Sequence, residues 1–92
     1  MSKVRIHFAA IQLDAGVDYA GITLAVRPQE ITHTITRYYC AADERHHRRP
    51  LVRVELETQM IKRIGRAGVL VEYDGKQFPV HVSQVMDCEV AG

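Results

Sequence analysis

Tryptophan is absent from this chain of 92 residues, and aromatic side chains make up only 7% of it. Any core must therefore be built from Val, Ile and Leu, which favour strands when they alternate with polar residues. Cysteine is scarce as well. Cys40 and Cys88 are too few for a disulfide framework. Both are expected to act as small side chains that stay reduced in a cytosol, although a single bridge between them remains open. No apolar run reaches the ~18 residues that a membrane-spanning helix needs. The opening MSKVRIHFAAIQLD is broken by Arg5 and His7 and lacks the layout of a signal peptide. The expectation is a cytoplasmic protein without membrane contact. Also missing are a Gly-rich phosphate loop, a G-x-S-x-G elbow and an H-E-x-x-H helix, so nothing marks an enzyme or calls for a cofactor. His33 and His81 read as interfacial or core-edge residues rather than general bases.

What is present is β-strand patterning. In Ala67–Gln84, the dipeptide Asp74-Gly75 separates two runs rich in β-branched and aromatic residues. Asp-Gly meets the need of a type I′ turn for positive φ at both central positions. The register then sets Tyr73 opposite Lys76, Val71 opposite Phe78 and Val69 opposite Val80, with Val69, Val71, Tyr73, Phe78 and Val80 on one face. Pro79 falls at a pair without ladder bonds, so its missing N–H belongs to the side facing away from strand 67–73. Strand 76–83 should accordingly be an edge, or be bulged at Pro79. Strand 67–73 should find its second neighbour in the strand that starts at Leu51.

Elsewhere, Val4, Ile6 and Phe8 alternate with Lys3, Arg5 and His7, which predicts a half-buried first strand running on toward Leu13. Asp14, Gly16 and Asp18 supply turn chemistry, Ile22–Val26 reads as a second strand, and Arg27-Pro28 ends it. Residues 31–40 read as a third strand, paired with the second through a loop at 27–30. Neither of its faces is purely apolar, which suits partial exposure or a partner. Val52, Val54 and Leu56 argue for a strand over 51–57. From residue 57 a helical turn ended by Gly65 competes with it. The tail 87–92 is acidic and small and should fray.

Charge is uneven. Residues 43–66 carry seven basic side chains against four acidic ones, whereas 67–92 carry Lys76 against four carboxylates. The polar segment 41–50 is expected to be an exposed loop. Its cluster Arg45, His46, His47, Arg48 and Arg49, with Arg53, suits phosphate, because a guanidinium donates parallel hydrogen bonds at any working pH. Lys62, Arg63 and Arg66 would extend the patch if the chain folds back, and Tyr38 and Tyr39 would stack on bases. Glu55 and Glu57 interleave with Arg53 and oppose it. Zinc at Cys40, His46 and His47 is disfavoured, since the spacing matches no usual ligand pattern.

The expectation for the fold is a single mainly β domain of five to six short antiparallel strands, a small barrel or two-layer sheet, with one short helix near 55–64 as the alternative. In general layout Leu51–Met86 resembles the end of SH3-like and Sm-like small barrels, a likeness that assigns no residue a role. The expected function is a non-catalytic binding module for nucleic acid or an acidic protein. The alternatives are a self-assembling homo-oligomer and a small-ligand barrel.

Overall fold

A computed structural model describes residues 2–39 and 49–88. The fold is mainly β and antiparallel. Among the described residues it has eight strands, two isolated 3-10 turns and no α-helix. The strands are β1 (Ser2–Gln12), β2 (Val17–Tyr19), β3 (Ile22–Leu24), β4 (Ile31–Tyr39), β5 (Arg49–Ile64), β6 (Gly68–Tyr73), β7 (Lys76–His81) and β8 (Val85–Cys88). The chain divides into two compact units, one of Met1–His7 with Leu56–Gly92 and the other of Phe8–Glu55.

In the first unit, β5, β6 and β7 form a meander, with β8 laid antiparallel against the start of β1. The β6–β7 hairpin has the register read from the sequence, Tyr73 to Lys76, Val71 to Phe78 and Val69 to Val80. Asp74 and Gly75 take φ of 51° and 75°, as a type I′ turn requires. Val69, Val71, Phe78 and Val80 are buried and Tyr73 is half-buried. Among the described residues strand β7 ends the strand order, so the proline does mark an edge there, and the inner neighbour of β6 is β5. Each fully buried Val or Phe of this face contributes about 1.5–3 kcal/mol relative to exposure.

The helix considered near 55–64 does not form. Strand β5 continues through these residues, because Val52, Val54, Leu56 and Thr58 keep a strict inward period of two. Thr58 breaks the apolar pattern but not the burial. Its hydroxyl donates to the Val4 carbonyl at 3.0 Å, which satisfies a polar group that is 2% exposed. The segment after β7 is a 3-10 turn at Val82–Gln84, closed by the Gln84 side chain accepting from the His81 N–H at 2.7 Å. Of the tail expected to fray, residues 87 and 88 belong to β8, and residues 89–92 lie outside the described residues.

In the second unit, Phe8 and Ala10 continue the buried face of β1, and the Phe8 ring lies 4.3 Å from that of Tyr19. Asp18 lies in β2 and supplies the expected turn chemistry from there. β2 and β3 form a tight hairpin about Ala20-Gly21, both at positive φ, and Asp18 Oδ1 accepts from the Gly21 N–H at 2.9 Å. This additional hairpin and β8 take the strand count beyond five or six. The expected pairing of residues 31–40 with the second strand is also corrected, since β4 pairs with β5. The connection at 27–30 is a capped 3-10 turn. Buried Glu30 accepts from the Arg27 N–H at 2.6 Å, holds the Arg27 guanidinium at 3.5 Å, and so redirects the chain away from β3.

Candidate functional site

The cations singled out from the sequence fall into two groups at opposite ends of β5. Arg49 and Arg53 open the strand in the second unit; Lys62 and Arg63 close it in the first, with Arg66 in the turn that follows. Arg45, His46, His47 and Arg48 lie outside the described residues, as do Cys40 and the side chains of Tyr38 and Tyr39.

Arg49 is committed locally. Its Nη1 lies 3.1 Å from Asp14 Oδ1, with the Arg side chain 35% exposed and the Asp side chain 93% exposed. Its charge is therefore balanced before any ligand arrives. Arg53 is half-buried, and its carbonyl accepts from Thr32 Oγ1 at 3.3 Å. Glu57, expected to oppose Arg53, instead pairs with Lys3 at 3.3 Å.

The other group is arranged differently. Ile64 pairs with Gly68, so residues 65–67 form a three-residue hairpin loop. Lys62 stands opposite Leu70 and Arg63 opposite Val69, and both cations are exposed, as is Arg66. Arg63 Nη2 donates to the Arg66 carbonyl at 3.2 Å, which steadies the guanidinium over the turn without neutralising it. Among the described residues no carboxylate pairs with Lys62, Arg63 or Arg66. Ile64, 40% exposed, lies between Arg63 and Arg66 in the chain. Three positive charges and one apolar side chain thus crown a short hairpin, an arrangement that attracts anions and offers a dry contact beside them.

A second exposed element is β4. Residues 32–37 are exposed on both faces, Ile35 at 46%, and among the described residues β5 is the strand that β4 pairs with. This matches the mixed polarity of both faces in the sequence. Register shifts after Ile31, Thr34 and Thr36 bend β4 along its length.

The sequence reading did not foresee a groove in the first unit, bordered by Arg63 and Met86, because its walls come from residues far apart in the chain. Nor did it separate Arg63 from Arg53. The Gly65-Arg66-Ala67-Gly68 stretch, a turn signal closing an unbroken strand, was the clue that the two groups sit at opposite ends of one element. Comparison with known proteins finds no matching family model, no matching curated protein and no matching solved structure.

Proposed function

We propose that this chain is a non-catalytic binding module that engages a polyanionic partner, nucleic acid in the first instance, through the cations of the β5–β6 hairpin. The observation that carries this reading is the exposure of Lys62, Arg63 and Arg66 with no carboxylate partner among the described residues, while Arg49 is already balanced by Asp14. Arg63 and Arg66 suit phosphate through their planar forks, and Lys62 adds a point charge. Arg45 and Arg48 carry further positive charge in the chain that leads into β5.

The test is a salt series with single- and double-stranded DNA and RNA. Displaced counterions make affinity fall with ionic strength, with a logarithmic slope of roughly 0.7–0.9 per phosphate contact. Lys62→Gln, Arg63→Gln and Arg66→Gln should each reduce that slope by about 0.7–0.9, almost independently of sequence. Absence of any complex at low salt removes the nucleic-acid reading, and retention of the slope in the triple variant removes the hairpin.

A second reading, self-assembly into a homo-oligomer, is favoured by the two-sided exposure of β4 at residues 32–37. A strand open on both faces and paired on one side among the described residues offers a second copy both backbone and side chains. A strictly monomeric mass by sedimentation at micromolar concentration excludes it.

A further inference from the structure

We infer that the first unit carries a site for a small amphipathic anion, an aliphatic carboxylate, in the groove between β8 and the β5–β6 hairpin. The open groove offers about 380 Å³, within the range of about 300–1,000 Å³ that small-molecule sites occupy. Its lining includes Val4 and Val69, both buried, and half-buried Met60 and Val85. Exposed Met86 and Arg63 stand at the mouth.

Among the described residues, Arg63 is the single charged residue of the lining and no acidic side chain contributes to it. Among the described residues, one of its five N–H donors is engaged, by a neutral carbonyl, which leaves donors of the fork for a ligand. One guanidinium beside an apolar trough matches a ligand with one anionic end and a hydrocarbon body. A carboxylate accepts two parallel bonds from such a fork, and the methionine walls adapt to an unbranched chain. This site shares Arg63 with the polyanion reading but does not rest on it, since it needs neither Lys62 nor Arg66 and buries a hydrocarbon that nucleic acid does not offer.

The experiment is a titration of the full chain with decanoate below its micelle concentration, followed by NMR of the methyl groups of Val69, Val85, Met60 and Met86, with decanol as the uncharged control. The expected result is a saturable sub-millimolar shift confined to these methyls. Decanol should bind about tenfold more weakly, a factor at the low end for a hydrogen bond to a charged group. Arg63→Gln should lower decanoate affinity to that of decanol. Arg63→Lys should fall between the two, because it keeps the charge and loses the fork. Lys62→Gln and Arg66→Gln should leave decanoate binding unchanged. The inference is overturned by the absence of saturation, by equal binding of decanol, or by an equal loss in Lys62→Gln. Failure of nucleic-acid binding leaves these expectations untouched, so the two proposals fail separately.

Discussion

Replacing Thr58 by Val tests the reasoning about β5 most directly. The side chain is 2% exposed and its hydroxyl donates to the Val4 carbonyl at 3.0 Å. Valine keeps the branched shape and substitutes a methyl for the donor. Losing the hydrogen bond costs about 0.5–1.5 kcal/mol, a loss that rises to about 1–3 kcal/mol where the buried acceptor is left with no donor at all. The extra methyl returns roughly 0.8 kcal/mol of apolar transfer. The expected net effect is a destabilisation of about 1 kcal/mol, equivalent to a fall in Tm of about 4–8 °C for a chain of this size. Thr58→Ser, which keeps the hydroxyl and loses the methyl, should cost a similar amount for the opposite reason. Thr58→Ala removes both and should cost about 2 kcal/mol. Urea unfolding of the three variants, read at the midpoint with the slope checked for constancy, separates these contributions. A Thr58→Val variant as stable as the parent or more so would refute the role assigned to the hydroxyl.

Three further substitutions probe local geometry. Gly16 has φ of +91°, and a Cβ there would lie 2.2 Å from the Leu24 carbonyl oxygen; Gly16→Ala should therefore lose about 3 kcal/mol in denaturant unfolding. Ala20 occupies the first central position of the β2–β3 turn at φ of 52°. Ala20→Asn, better suited to a type I′ turn, should gain about 0.5 kcal/mol by the same assay, and a loss would contradict the turn assignment. Pro79→Val restores an outward N–H to edge strand β7. That variant should keep the fold and self-associate more strongly than the parent in sedimentation velocity.

Much of the fold was legible because its determinants are local. The β6–β7 hairpin needs two residues that accept positive φ and an alternation that puts Val69, Val71, Phe78 and Val80 on one side, and all of this lies within a dozen positions. Pro79 added topology from a single missing N–H. The Ala20-Gly21 turn escaped notice because alanine is a poor marker of positive φ; Asp18 supplies the missing stabilisation by accepting from the Gly21 N–H. The second half of β5 looked ambiguous because Thr58 and Lys62 interrupt its apolar alternation. One is buried through a hydrogen bond to β1, the other emerges at the hairpin tip, and neither fate is encoded in the local pattern.

The candidate site divides in the same way. Which residues are cationic, and that β4 has no purely apolar face, could be read directly. That Asp14 balances Arg49 across 35 positions, while Arg63 rests on the turn beside it, could not. By itself, then, the sequence determined the β class, the C-terminal hairpin with its register, and the edge at Pro79, since steric preference at a turn and a period of two are properties of neighbouring residues. Only the tertiary structure decided that β4 lies on β5, that Glu57 serves Lys3 rather than Arg53, and that Val4, Arg63, Val69 and Met86 border one groove. Those outcomes depend on which distant segments bury each other's apolar faces, a free-energy balance that no local window contains.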